Sequence, residues 1–350
     1  MSNLLAHEFP VLGKRVPIIE LCSLPTPVSH RSINIAGRSQ LVLVKRDDLS
    51  GIEYGGNKVR KLEYLLARAR QQNARRIATF GAVGSNHAVA TALYAGISGF
   101  ECTCFLAHQS LKPGLGKALR FHQQQGTEIL QLAPSRRERV ALFRRYLQGR
   151  HVSVIPFGGS SWLGSVGFVN AGLELAAQIR AGESPCPARI YIALGTMGTA
   201  IGLALGLALA GINTEVQAIR VTDLQYANKK ATQRLLAKCA ALLHHYDPEI
   251  PADLASRANL VYRDEFVGSG YGKTTPATEN AIAYAADHFD LALESTYTGK
   301  AMAALLGDLE SSGSDNIMFW NTWNSRPLAV DETLRPDFDV MPRSFERYFD

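Results

Sequence analysis

Charge, cysteine and long apolar runs are all scarce in this sequence, and each shortage argues against a class of protein. Charged residues make up 19% of the chain and apolar residues 46%, the balance of a globular protein with a sizeable core rather than a disordered chain. The five cysteines, Cys22, Cys102, Cys104, Cys186 and Cys239, are odd in number and follow no metal-binding spacing. That argues against a disulfide framework, and it leads us to expect a reducing compartment and no metal site. The longest apolar stretch, Thr199–Ile212, falls short of the roughly 20 residues a membrane-spanning helix needs. Met1–Ala6 is too short an apolar run for a secretory leader, and His7, Glu8, Lys14 and Arg15 follow it. A cytoplasmic protein with no membrane partner is therefore expected. The net charge of +6 is spread over scattered pairs such as Arg75-Arg76 and Lys229-Lys230. Nucleic acid, which needs charge gathered on one face, is thus not expected as a partner, while an anionic substrate or cofactor suits the same charge.

Strand-like and helix-like segments alternate through most of the chain. Leu41–Lys45 reads as a strand, and Lys58–Gln71 as a helix with Lys58, Leu62, Leu65, Leu66 and Ala69 on one stripe. Strands are expected at Arg76–Phe80, Glu101–Ala107, Glu128–Leu132, Val152–Pro156, Ile190–Leu194, Glu215–Thr222 and Asn316–Trp320. Helices are expected between them at Asn86–Ser98, Leu115–Gln125, Ser135–Gln148, Leu163–Ala181 and Thr199–Ala210, and later at Thr275–His288 and Thr298–Leu309. Such alternation argues for α/β architecture with mainly parallel sheets, in which ligands gather where strands end and helices begin.

Four turns stand at such places. Gly55-Gly56-Asn57-Lys58 opens a helix, and Lys58 continues its apolar stripe. A lysine facing a core loses hydration, and Arg60 and Lys61 add positive charge nearby. Both effects favour the neutral amine, the form that attacks an aldehyde. The second turn, Gly81-Ala82-Val83-Gly84-Ser85-Asn86-His87, offers either an anion-binding helix start or an ordinary N-cap. The third, Gly195-Thr196-Met197-Gly198-Thr199, suits a single phosphate, or is a plain strand-to-helix turn. It matches neither the dinucleotide nor the nucleotide-triphosphate glycine pattern. The fourth set pairs Gly270-Tyr271-Gly272 with Ser295-Thr296-Tyr297-Thr298, whose tyrosines either present a phenol or pack over the core.

In this order, from about Leu21 to Thr322, the turns resemble the D-cysteine desulfhydrase and 1-aminocyclopropane-1-carboxylate (ACC) deaminase family. The most specific stretch is Lys45-Arg46-Asp47-Asp48-Leu49-Ser50-Gly51 followed by Gly55-Gly56-Asn57-Lys58-Val59-Arg60-Lys61-Leu62-Glu63. The resemblance implies a pyridoxal 5′-phosphate (PLP) enzyme of the tryptophan synthase β-like fold, with two three-layer α/β domains. A large PLP-binding domain would span 1–60 and 170–350, a small one 61–169, and the enzyme would be a homodimer. Lys58 then matches the lysine that carries PLP and moves the proton, with Asn57 beside the ring and Lys61 near the phosphate. Gly195, Thr196, Met197, Gly198 and Thr199 match the phosphate loop, and Thr322 falls where the family places a threonine against the pyridine nitrogen. Ser85, Asn86 and His87 match the segment that receives the substrate carboxylate. Tyr271 and Tyr297 match tyrosines on the substrate side of the ring, and Ser160 follows the family pattern in Gly158-Gly159-Ser160-Ser161. Lys58, Ser85, Tyr271 and Tyr297 are the implied catalytic set, acting on a small amino acid.

A threonine against the pyridine nitrogen makes the ring a weaker electron sink than a carboxylate would, which suits elimination with a good leaving group. Thr298 stands where ACC deaminases carry Glu and desulfhydrase-like members carry Thr, so D-cysteine desulfhydrase-like chemistry is expected, giving pyruvate, sulfide and ammonia. ACC deamination, elimination from another β-substituted alanine, racemisation, and a PLP-carrying protein without turnover are the alternatives. Two positions depart from the family: Gly84 replaces its usual Gln, and Asn321-Thr322-Trp323-Asn324 replaces its His-Thr-Gly-Gly.

Overall fold

A computed structural model describes residues 3–133, 135–148, 151–312 and 316–349. Met1 and Ser2, from the short apolar run considered above, lie outside them, as does Asp350 at the expected end of the large domain. The chain forms two compact units, one of Met1–Lys61 with Ser160–Arg326, the other of Leu62–Gly159 with Pro327–Asp350.

In the first unit, short helices α1 (Leu4–Glu8) and α2 (Pro10–Arg15) precede the antiparallel hairpin of β1 (Val28–Ile35) and β2 (Arg38–Lys45). Its tight turn is made by Ala36 and Gly37 at φ 49° and 73°. Helix α3 (Asn57–Gln71) then leads out of this unit.

The second unit contains β3 (Arg76–Ala82), α4 (Asn86–Ile97), β4 (Glu101–Ala107), α5 (Leu115–Gln124), β5 (Glu128–Gln131), α6 (Arg136–Leu147) and β6 (Val152–Val154). Its four strands form a wholly parallel sheet in the order β5-β4-β3-β6. Ala78, Phe105 and Tyr146 form a core cluster with Phe80 and Phe143 against it. Compared with the expected boundaries, this unit ends at Gly159 rather than 169 and also takes in the last stretch of chain. The reason is local: Phe345 is fully buried, and the Tyr348 hydroxyl accepts from the Gln109 N–H (2.9 Å) and donates to its carbonyl (3.0 Å).

The first unit resumes with α7 (Trp162–Arg180), β7 (Arg189–Leu194), α8 (Gly198–Leu209), β8 (Glu215–Arg220), α9 (Lys229–Tyr246), α10 (Leu254–Arg257), β9 (Leu260–Arg263), α11 (Pro276–Phe289), α12 (Thr298–Ser312) and β10 (Ile317–Trp320). Its sheet runs β1-β2-β10-β7-β8-β9, parallel throughout except for the β1–β2 hairpin. Successive side chains of a strand point to opposite faces, and here both faces are apolar. Val42, Val44, Tyr191 and Ile219 pack with α11 and α12, whereas Leu43, Ile190, Ile192, Met318 and Trp320 pack with α7 and α8. A parallel sheet covered by helices on both sides is the result, and this unit has three layers. Among the described residues no helix is long and apolar enough to cross a membrane.

Helices α1, α2, α9 and α10 and strands β1 and β9 were not expected from the sequence. The expected strand at Val152–Pro156 is shorter, ending at Val154, because Pro156 has no N–H to continue the ladder.

Candidate active site

The loop before α3 is pinned from several directions. Gly56 N–H donates to the Asp47 carbonyl (2.8 Å), Asn57 N–H to the Thr322 carbonyl (3.2 Å) and Gly55 N–H to Asn324 Oδ1 (2.6 Å). Gly56 sits at φ 88°, and a Cβ there would lie 2.7 Å from the Thr322 oxygen, so the close approach needs glycine. This is also where the Trp323-Asn324 departure acts: Asn324 supplies a side-chain acceptor that clamps the lysine loop.

Beneath the loop lies a buried ion cluster. Asp47, Lys45 and Arg60 are fully buried and Glu174 is 3% exposed. Glu174 accepts from Lys45 Nζ (2.6 Å) and from Arg60 Nη1 (3.0 Å), while Asp47 accepts from Arg60 Nη2 (2.6 Å). Thr26 donates its N–H to Glu174 and its hydroxyl to Asp47. The two cations and two anions cancel, as burial demands. Burial alone would raise the Glu174 pKa, but the charges of Arg60 and Lys45 overcome it and hold it at about 2. For Lys45 the balance tips the other way, burial lowering its pKa more than Glu174 raises it, so Arg60 is the cluster's dependable cation.

This cluster changes the electrostatic account of Lys58. Arg60 was expected to add positive charge beside it, but Asp47 and Glu174 neutralise that charge. Lys58 keeps partial solvent contact, yet it lies deep among protein atoms, and burial lowers its pKa to about 8. Among the described residues its ammonium makes no hydrogen bond and no ion pair.

One turn further on, fully buried Lys61 donates to Ser160 Oγ at 3.1 Å. Burial, and then the neighbouring Lys58 charge, push its pKa well below the ordinary lysine value. Ser160 Oγ also lies 2.7 Å from Thr196 Oγ1 and accepts from the Gly198 N–H at 3.3 Å. Asn57 Nδ2 donates to Thr199 Oγ1 at 2.9 Å. The result is a cup of hydroxyls and a lysine amine at the start of α8, where helix N–H groups favour an anion. Met197 closes the turn at φ 72°, an unusual conformation for a residue with a side chain.

The aromatic pair is attached to the same loop. A Cβ on Gly195 would stand 3.0 Å from the Tyr297 ring, so the ring lies directly over that glycine. The Tyr297 and Tyr271 hydroxyls are 2.7 Å apart. Thr322 is 9% exposed, and its hydroxyl has no partner among the described residues. Asn321, in the place of the family histidine, is fully buried and accepts from the Trp323 N–H.

Ser85, Asn86 and His87 lie in the second unit. Ser85 caps α4, its Oγ accepting from the Ala88 N–H at 3.3 Å. His87 is 4% exposed, with Nε2 3.0 Å from Thr79 Oγ1, so its imidazole is engaged inside the unit. Gly84 leaves room that the Gln109 and Leu115 side chains fill: a Cβ there would meet Leu115 at 2.6 Å, and the Gly84 N–H donates to Gln109 Oε1.

The structure thus joins Asn57, Lys58, Lys61, Ser160, Gly195–Thr199, Tyr271, Tyr297 and Thr322 within one unit. Sequence reading missed the Glu174 cluster and Glu294, whose carboxylate accepts the N–H groups of Thr296, Tyr297 and Thr298. For Glu174 a signal existed, since a lone carboxylate inside the apolar run of α7 is a buried charge in need of partners.

Comparison with known proteins gives the family. Residues 19–322 match the family described as pyridoxal-phosphate dependent enzyme. A nocardicin C-9′ epimerase from Nocardia uniformis subsp. tsuyamanensis is 33% identical over 89% of this chain and 94% of its own length. A D-cysteine desulfhydrase from Salmonella schwarzengrund (strain CVM19633) is 31% identical over 90% of this chain and 96% of its own. A solved ACC deaminase homologue aligns with a TM-score of 0.73 at 31% identity, over 90% of this chain and 94% of that one. The fold is the tryptophan synthase β-like arrangement of such enzymes.

Proposed function

We propose that this chain, which belongs to the pyridoxal-phosphate dependent enzymes, degrades a small amino acid by β-elimination to a keto acid and ammonia, with D-cysteine as the leading substrate. The observation that carries the reading is Lys58: a deeply set amine with a pKa of about 8 and no hydrogen-bond or ion-pair partner among the described residues.

The residues present fit the cofactor. Lys61, Ser160, Thr196, Thr199 and the first N–H groups of α8 form the cup for its phosphate. Asn57 would flank the ring, and the Thr322 hydroxyl would be available for the pyridine nitrogen. When bound, pyridoxal phosphate supplies the electron sink that makes the substrate α-proton removable. Lys58 Nζ holds the cofactor and then moves that proton. A pKa near 8 leaves about one amine in ten neutral at pH 7, against fewer than one in a thousand for an ordinary lysine. The family resemblance assigns the substrate carboxylate to Ser85, Asn86 and His87, and the reacting side to the Tyr271 and Tyr297 hydroxyls. The first unit is the cofactor-binding domain in this reading, and the family resemblance extends it to a cytoplasmic homodimer.

Thr298 favours the desulfhydrase reading over ACC deamination. It is 1% exposed, and its hydroxyl is used within its own turn, accepting from the Glu294 N–H at 3.1 Å. No acid stands at that position to serve a second proton transfer. A second reading, epimerisation at the α-carbon without loss of the β-substituent, draws on the 33% identity to an epimerase. Purified holoenzyme given D-cysteine should release pyruvate and sulfide, with a change in its absorbance near about 410–420 nm. Turnover of ACC but not D-cysteine refutes the substrate assignment, and chiral inversion without sulfide release favours the epimerase reading.

A further inference from the structure

Helix α12 begins with a device that the tyrosine pair depends on. Glu294 precedes the helix, and its chain folds back so that one carboxylate meets three consecutive N–H groups. Thr296 donates at 2.7 Å, Tyr297 at 2.6 Å and Thr298 at 2.8 Å. The backbone closes the same turn: the Gly299 N–H donates to the Glu294 carbonyl at 2.9 Å, and the Glu294 N–H to Thr298 Oγ1. The donors at the start of a helix have no intrahelical acceptors, and a carboxylate there is also favoured by the helix dipole. Tyr297 sits in the middle of this three-point grip, and its ring lies over Gly195. On the following turn, fully buried Lys300 donates to the Val267 carbonyl at 2.5 Å and lies 3.5 Å from that of Gly270. That bond holds the loop between β9 and α11, which carries Tyr271.

We propose that Glu294 is a positioning residue for the reaction, fixing Tyr297 so that its hydroxyl meets that of Tyr271 at the reacting face. The proposal rests on the reading of the tyrosines given above. Glu294 also acts on them electrostatically. Burial first, then Tyr271, then the Glu294 charge hold the Tyr297 phenol well above its ordinary pKa. Tyr271 is raised by burial, lowered by its hydrogen bond to Tyr297, and raised again by Glu294 and Tyr226. Burial raises the Glu294 carboxyl itself, against the pull of the Thr298, Thr296 and Tyr297 N–H groups.

Glu294→Gln separates this role from a merely structural one. It removes the charge, and replaces the oxygen that takes the Thr296 N–H, while leaving an acceptor for Tyr297 and Thr298. The first readout needs no substrate: phenolate absorbance of the holoenzyme is titrated for wild type and Glu294→Gln, each against its Tyr297→Phe counterpart. The Tyr297 step should move to lower pH in Glu294→Gln. The second is turnover, with kcat falling by about 10- to 100-fold, KM changing less than about threefold, and no further fall when Tyr297 is already Phe. An unmoved phenol step together with unchanged kcat overturns the proposal, and so does a loss of kcat that persists in the Tyr297→Phe background. Full turnover by Tyr297→Phe alone overturns the reading of the tyrosines instead, and the titration then decides the Glu294 coupling by itself. If Glu294→Gln does not fold with cofactor, Thr298→Val removes only the Oγ1 contact. A fall in kcat of about three- to tenfold with an unmoved phenol step is then expected, and unchanged kcat overturns the proposal.

Discussion

Replacing Glu174 by Gln tests the buried ion cluster beneath the lysine loop. The substitution keeps the side-chain shape but leaves Lys45 and Arg60 sharing the single anion Asp47. Holding the Glu174 pKa at about 2 instead of its ordinary 4.5 corresponds to about 3 kcal/mol of stability at neutral pH. Breaking a buried pair typically costs about 3–5 kcal/mol, in the same range. For a unit of this size each kcal/mol shifts the melting temperature by roughly 2–4 °C, so Glu174→Gln should melt roughly 6–20 °C below wild type. The assay is thermal unfolding followed by circular dichroism at pH 7. Adding Lys45→Met restores neutrality and should recover more than half of the loss. The pH dependence carries a definite sign: the folded pKa lies below the unfolded one, so the contribution is complete above about pH 4.5 and is lost as pH falls towards 2. A melting temperature within about 2 °C of wild type would refute the electrostatic reasoning.

His122 gives a second pH test. It is fully buried in α5, neither ring nitrogen has a partner among the described residues, and burial lowers its pKa to about 4. Its contribution is present above about pH 6.5 and falls by about 3 kcal/mol as pH drops to 4. Urea midpoints across that range should flatten in His122→Leu, and an unchanged slope contradicts the assignment. Lys61→Met should weaken pyridoxal phosphate binding by roughly 10- to 100-fold, read by equilibrium dialysis, because it removes a buried hydrogen-bond donor from the cup. Unaltered affinity would exclude Lys61 from the phosphate site. Gly195→Ala places a methyl 3.0 Å from the Tyr297 ring and should lower kcat by about tenfold or more. Wild-type kcat would mean the ring can move aside without consequence.

Much of the scaffold was legible because apolar runs and turn residues alternate regularly, and β7, α8 and the loop between them fell where the pattern placed them. Strand β2 was legible in part, at Leu41–Lys45, but its pairing with β1 was not, since the turn uses Ala36 at positive φ, where a Gly or Asn signal would be looked for. Helix α9 was passed over although it is 18 residues long: few of its side chains are buried, so its apolar stripe is thin. In the candidate site, the turns at Gly55–Lys58 and Gly195–Thr199 were readable as helix openings because each is local in sequence. The ion cluster was not, because Lys45 and Glu174 are 129 residues apart and Arg60 and Glu174 are 114 apart. Only the folded chain brings them together. Glu294 was missed for a different reason: its partners are backbone N–H groups, which leave no residue-type pattern to recognise.

The central claim is that Lys58 carries the cofactor. Borohydride reduction of the holoenzyme, followed by proteolysis and mass spectrometry, locates the retained pyridoxyl group directly. Label on the peptide containing Lys58, absent from Lys58→Ala, is the predicted result. Label on Lys45, Lys61 or Lys300, or none on a holoenzyme that turns over, would contradict it.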